Sequence, residues 1–387
     1  MAKRPGISAF RVLIAALLVG AAASITGAAA PTETPVSLIV VLRDNVADPA
    51  AVAREQTTRF GGQITYVYTR VLKGYAVRGP AGFQAAVSGD QRVAYVERDG
   101  EMSASATQTG ATWGIDRIDQ RALPLNGTYD YTAAGSGVKA YIIDTGVLYS
   151  HTEFGGRAIA GTDAITPGGS ALDCNGHGTH VAGTVGGSTY GMAKGVTLVG
   201  VRVLDCSGRG TTSGVIAGVD WVTANHAGPA VANMSLGGGA SSSLDTAVRN
   251  SIASGVSYAI AAGNGNIVGI AQDACKSSPA RVAEAMTIGA ADKTDKKASW
   301  SNYGSCVDWF APGVDITSAW YTSNSATNTI SGTSMATPHT TGVAALYLSL
   351  NLGATPQQVR DALYANTTKG IVTSSRTANN HLLFTNY

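Results

Sequence analysis

Charge and cysteine are both scarce in this 387-residue chain. Asp, Glu, Lys and Arg together make up 13% of it, and the formal net charge is only +2. A balance that small, with no run of basic residues, gives no electrostatic ground for binding nucleic acid or an anionic membrane. The low charge accompanies 44% apolar residues and 48 glycines. A disordered chain shows the opposite, many charges and few apolar residues. This composition suits a compact, loop-rich protein with a large core, and the length allows more than one domain. The four cysteines, Cys174, Cys206, Cys275 and Cys306, include no Cys-x-x-Cys pair, which argues against a structural zinc site. There is no internal repeat. Beyond the first 30 residues no apolar run approaches the roughly 20 residues that a bilayer span needs.

What is present starts with an export signal at residues 1–30. Lys3, Arg4 and Arg11 form a positive end, Val12 to Ala23 an apolar core, and Ala28-Ala29-Ala30 the small residues of a cleavage site. The apolar core is too short for the alternative, a membrane anchor. Export permits disulfides, and four cysteines allow three pairings.

Residues 37–99 read as a small α+β unit. Ser37 to Leu42 is a strand candidate, Ala47 to Phe60 is helical in character, and Gly61-Gly62 ends it. Ile64 to Val71, Tyr75 to Val77 and Arg92 to Glu97 add short strands. Gly100 to Gly110 reads as an exposed linker. From Gly137 onward, apolar runs alternate with helical patterns. Val138 to Ile143, Leu198 to Leu204, Val231 to Leu236, Val256 to Ala262 and Ala285 to Ala290 read as strands buried on both faces. Ser213 to Ala224 sets Val215, Ile216, Val219 and Val222 on one helical face. The alternation predicts an α/β fold, a mainly parallel sheet between helical layers. Ligands on such sheets lie beyond the carboxyl ends of the strands, where Asp144 falls.

Three segments bring the groups of a serine-nucleophile triad. They are Tyr141-Ile-Ile-Asp144-Thr-Gly146, Asn175-Gly-His177-Gly-Thr-His180 and Ser331-Gly-Thr-Ser334-Met-Ala-Thr-Pro338. A neutral hydroxyl is a weak nucleophile; it needs a base, and the base needs a partner that fixes its tautomer. Pro338 is expected in an early helical turn, where its missing N–H costs nothing. That puts Ser334 near a helix N-terminus, whose free N–H groups favour developing negative charge. Gly332-Thr-Ser334-Met-Ala336 lacks the second glycine of an esterase-type G-x-S-x-G elbow.

In these motifs and their Asp, His, Ser order the chain resembles the subtilisin-like serine proteases, peptidase family S8, in the proteinase K branch and nearest its aqualysin-type secreted bacterial members. The likeness spans residues 106 to 387. It implies a subtilisin-like three-layer fold preceded by an inhibitor-like propeptide domain at residues 31–105, with cleavage near Ser105–Ala106. It implies Asp144 as orienter, His177 as base, Ser334 as nucleophile, and His180 and His339 as structural. The oxyanion hole would use the Asn264 side chain and the Ser334 backbone N–H. Gly208, Arg209 and Gly210, with Ser235, Leu236 and Gly237, correspond to the edges that hold an extended peptide. Ser235 to Gly239 and Ala261, Ala262 and Gly263 correspond to the walls of the first specificity pocket. These walls carry no carboxylate, so large apolar or aromatic side chains are expected before the scissile bond.

The resemblance also implies the pairs Cys174–Cys206 and Cys275–Cys306. It implies structural calcium, held by Asp308 with the carbonyls of Ala283 and Ala285, and at a second site by Asp116, Asp119 and Gln120, with Asn126 a further candidate. No catalytic cofactor is expected. The implied protein is a secreted, monomeric endopeptidase of broad specificity whose partners are polypeptide substrates and its own propeptide, a folding aid and inhibitor. Unlike aqualysin precursors, the chain ends soon after Leu382-Leu-Phe384, so no C-terminal propeptide is expected. An esterase or peptide ligase with the same triad, and an inactive binding module on the same fold, are the rival readings.

Overall fold

The computed structural model describes residues 35–99 and 106–387; the export signal expected at residues 1–30 lies outside the described residues. The chain divides into two compact units at residues 102–103. In the first, β1 (Val36–Leu42), α1 (Pro49–Phe60), β2 (Gln63–Tyr68), β3 (Gly74–Gly79), α2 (Phe83–Ser88) and β4 (Val93–Arg98) follow one another. The strands form an antiparallel sheet of order β2-β3-β1-β4. Its core gathers Leu38, Val40, Leu42, Val52, Tyr75, Val77, Phe83 and Val87. Asp48 caps α1 by accepting from Ala51 N, and Pro49 opens the helix, where a missing N–H is harmless.

The second unit opens with β5 (Ala106–Thr109), which pairs antiparallel with β6 (Thr128–Tyr131). The linker expected over 100–110 thus becomes a strand from Ala106 on, because β6 supplies its backbone partners. Between them lies α3 (Trp113–Ile118). The main sheet is built from β7 (Lys139–Asp144), β8 (Ala158–Asp163), β9 (Thr197–Arg202), β10 (Ala230–Met234), β12 (Val256–Ala261), β14 (Met286–Ala291) and β15 (Trp309–Pro312), with β11 (Gly238–Gly239) and β13 (Ser277–Ser278) paired apart from it. Its order is β15-β14-β12-β10-β7-β9-β8, and every pairing is parallel. Parallel strands need crossovers, and the helices that supply them cover both faces. Alternate residues of one strand serve opposite layers. Ala140 and Ile142 join Val181, Val185 and Val343, from α4 (His177–Gly186) and α7 (Thr333–Leu350). Tyr141 and Ile143 join Val215, Val219 and Val248, from α5 (Thr212–Asn225) and α6 (Ser242–Ala253). A hairpin of β16 (Ile316–Ala319) and β17 (Thr327–Ile330), and α8 (Pro356–Asn366), complete the unit. This is the expected subtilisin-like architecture.

Candidate active site

Neighbouring strands deliver the site. The carboxyl ends of β7, β10 and β12, adjacent in the sheet, lead into Asp144, Ser235 and Asn264, the edge at which ligands of parallel sheets sit. Asp144 is fully buried. Its Oδ1 accepts from Thr145 N at 2.7 Å and from His177 Nδ1 at 2.7 Å, and its Oδ2 accepts no hydrogen bond among the described residues. His177 is the first residue of α4 and keeps 24% of its side chain exposed. Burial disfavours the imidazolium, but the Asp144 charge and hydrogen bond, helped by Asp173, outweigh it and raise the histidine pKa.

Asp173, which carried no motif, ties this corner together. Its Oδ1 accepts from Thr145 Oγ1, Asn175 N and Gly176 N, each at 2.9 Å. Its Oδ2 accepts from Thr179 N at 2.9 Å and Thr179 Oγ1 at 2.5 Å. Thr145 Oγ1 in turn accepts from Gly178 N at 2.9 Å. A Cβ on Gly178 would stand 2.1 Å from the Gly146 carbonyl oxygen, so only glycine lets α4 approach β7 this closely.

Ser334 is the second residue of α7. Its Oγ donates to the Ser235 carbonyl at 3.1 Å, and its own carbonyl accepts from Ser235 Oγ at 2.8 Å. Pro338 lies deeper in the helix than expected, at its sixth residue. Its missing N–H would have served the Ser334 carbonyl four residues back; Ser235 Oγ takes that carbonyl instead. The structure thus joins His177 to Asp144 directly and joins Ser334 to Ser235. Ser235 lines a cleft of about 630 Å³ together with His177. A serine hydroxyl is a rotor, and catalytic hydrogen bonds are often unformed before substrate arrives.

The Asn264 carbonyl Oδ1 accepts from Thr333 N at 2.8 Å and Thr333 Oγ1 at 2.9 Å. That fixes the amide and leaves Nδ2 to donate. A Cβ built on Gly332 would lie 3.5 Å from both Asn264 Nδ2 and Ser334 N, so two donors converge beside one small empty position. Asn264 rides a turn between Gly263 and Gly265, both at positive φ. Asn302, also unmarked in the sequence, clamps that turn. Its Nδ2 donates to Ala262 O at 2.8 Å, its Oδ1 accepts from Gly265 N at 3.0 Å and Gln272 N at 2.8 Å, and its backbone N–H donates to Gly263 O at 2.9 Å.

The cleft runs between two backbone edges, Ser207 to Thr212 and Ser235 to Gly239, over an apolar floor of Leu204, Val215, Leu236 and Leu244. Gly208, Arg209, Gly210, Ser235, Leu236 and Gly237 all line it; Ala261, Ala262 and Gly263 do not. The latter end β12 beside the Asn264 turn, with Ala261 and Ala262 buried. The cysteines form the pairs Cys174–Cys206 and Cys275–Cys306. The first links the loop before His177 to the start of one cleft edge, and Asn175 Nδ2 adds a bond to Cys206 O at 3.0 Å. His180 Nε2 donates to Ile316 O at 3.0 Å and His339 Nδ1 donates to Met335 O at 2.9 Å. Burial pushes both down to about 4, which favours the neutral ring.

The two expected calcium sites differ. Asp119 Oδ2 accepts from Asp130 N at 2.6 Å, while its Oδ1 is buried with no hydrogen bond among the described residues. Burial lifts this carboxyl to about 6 against the pull of the Asp130 N–H, with the Asp130 and Asp116 charges adding to the rise. An unsatisfied carboxylate oxygen there fits an oxygen-seeking cation. Asp116 accepts from Asn126 N and Gly127 N, and Gln120 Nε2 donates to Ala122 O and Pro124 O. Asn126 Oδ1 turns to Thr128 and does not join them. At Asp308, by contrast, both oxygens are engaged, Oδ2 by Thr287 N at 2.7 Å and Oδ1 by Arg360 Nη2 at 2.5 Å. No cluster of three or more His, Cys, Asp or Glu suited to a metal occurs among the described residues.

The subtilase family model, peptidase S8, matches residues 135–384. The chain belongs to the subtilase family. It is 62% identical over 326 residues to an extracellular serine proteinase of Thermus sp. (strain Rt41A), covering 84% of this chain and 78% of that protein. It is 53% identical over 328 residues to alkaline serine exoprotease A of Vibrio alginolyticus, covering 83% and 60%. The crystal structure of a cold adapted subtilisin-like serine proteinase superposes with a TM-score of 0.69 at 56% identity, covering 71% of this chain and 98% of that one. This subtilase is accordingly a serine endopeptidase. No helix among the described residues is long and apolar enough to cross a membrane.

Proposed function

We propose that this subtilase is a secreted endopeptidase of broad specificity whose catalytic residues are Asp144, His177 and Ser334. The observation that carries the reading is the 2.7 Å bond from His177 Nδ1 to buried Asp144 at the rim of the cleft. With Nδ1–H committed to the carboxylate, Nε2 is the lone pair that accepts the Ser334 proton. Ser334 Oγ adds to the scissile carbonyl carbon, and the carbonyl electron pair moves to oxygen. Asn264 Nδ2 and Ser334 N donate to that oxyanion, and the N-terminus of α7 favours its charge. Collapse expels the amine, which takes the proton from the imidazolium and leaves an acyl-Ser334 ester. Water, deprotonated by His177, hydrolyses the ester and restores the hydroxyl.

The substrate binds as an added strand between the two glycine-rich edges. The apolar floor and the absence of a carboxylate in the cleft lining support a preference for apolar or aromatic side chains, with those before the scissile bond read against Ala261 to Gly263. Residues 1–30 direct export, and residues 31–105 act as a propeptide that aids folding and restrains activity until removed. The mature enzyme is a monomer. Asp119, with Asp116 and Gln120, would hold a structural calcium ion, which would offset the unsatisfied carboxylate and add stability.

Casein and a peptide series varied at the residue before the cleaved bond test the reading. Casein is cut, and Phe or Leu exceeds Lys and Asp in kcat/KM by at least 10-fold. Hydrolysis confined to simple esters would contradict it.

A further inference from the structure

Asp308 stands just ahead of β15, 7% exposed. Calcium is held by six to eight oxygens, carboxylate and carbonyl above all. The cavity beside Asp308, about 90 Å³, offers this one carboxylate; of the two expected carbonyl ligands Ala283 lines it and Ala285 does not, and two arginines, Arg281 and Arg360, line it as well. Arg281 is neutralised by Asp245, with Nε to Oδ2 at 2.6 Å. Arg360, from α8, is directed at Asp308, with Nη2 to Oδ1 at 2.5 Å. Thr287 N already holds the other oxygen. A guanidinium bears a permanent charge and keeps it at any physiological pH. A buried carboxylate with a cation already in contact gains little from a second one, and a divalent ion would meet the guanidinium's repulsion at short range.

We propose that Arg360 takes the place of calcium at Asp308, so that α8 is held to the sheet by an internal cation and this position loads no metal. The family's ion and this chain's arginine do the same work, neutralising one buried carboxylate, and they exclude each other. The exclusion is local and leaves the Asp119 position free to bind.

The test counts bound calcium per full-length chain by equilibrium dialysis and elemental analysis, in a Ser334→Ala background that prevents self-digestion. Asp308→Asn is expected to bind as much calcium as its parent. Arg360→Gln is expected to bind one ion more, and that ion should disappear in Arg360→Gln/Asp308→Asn. Arg360→Lys, which keeps a cation, should gain none. Circular dichroism verifies the fold of each variant, and the Arg360 series stands alone if Asp308→Asn does not fold. Loss of one calcium in Asp308→Asn, or no gain in folded Arg360→Gln, would overturn the proposal.

Discussion

In the proposed mechanism His177 sets the acid side of the enzyme's pH dependence. Burial opposes its charge, yet Asp144 and Asp173 together raise its pKa above the ordinary 6.5. Only the neutral ring can accept a proton from Ser334, so kcat/KM falls as pH drops through a midpoint above 6.5. Asp173→Asn removes one of the supporting charges, and its profile should shift to lower pH; an unshifted midpoint would count against Asp173. Asn302 acts one residue removed from chemistry. Asn302→Ala frees both sides of the Asn264 turn, and kcat should fall about 10-fold or more with KM little changed. The upper bound is about 10²–10³, the loss known for a subtilisin oxyanion donor and carried over from that enzyme. A raised KM with kcat unchanged would assign Asn302 to binding instead. Asp144, His177 and Ser334, the proposed triad, could be named from the sequence because each sits in a short motif. Asp173, Asn302 and Arg360 were not, because their partners are set by tertiary contact: Asn302 meets Ala262 across 40 positions and Arg360 meets Asp308 across 52.

At the scale of elements, the apolar runs located the central strands, since strands buried on both faces need continuous apolar sequence. The outer strands β8 and β15 and the glycine-bearing helix α4 lacked that signal; α4 is buried along nearly its whole length, so its periodicity is invisible. The Cys174–Cys206 bridge, which spans 32 positions, holds the cleft edge to the His177 loop. Replacing both cysteines by serine should cost about 4 kcal/mol in the chain-entropy account, read as a lower melting temperature in Ser334→Ala protein. It should also raise KM more than it lowers kcat, because the edge at Gly208 loosens while Asn264 stays clamped. An unchanged melting temperature would deny the bridge a structural role.

At the scale of the whole molecule, the boundary expected at residue 105 came from the linker composition and the family resemblance, and the chain divides between residues 102 and 103. The first unit has its own sheet and core, which supports a separate role. Residues 106–387 expressed alone should give active enzyme in yields at least 10-fold below the full chain, and supplying residues 35–99 as a separate polypeptide during refolding should restore them. Full yield without the first unit would remove its role as a folding aid.

The predictions on activity depend on Ser334 being the nucleophile. The direct measurement is labelling with a fluorophosphonate probe followed by peptide mapping. The label is expected on Ser334 in the processed enzyme, at a rate reduced at least 100-fold in His177→Ala and with no label in Ser334→Ala. Label that persists in Ser334→Ala, or maps to another residue, would contradict the account.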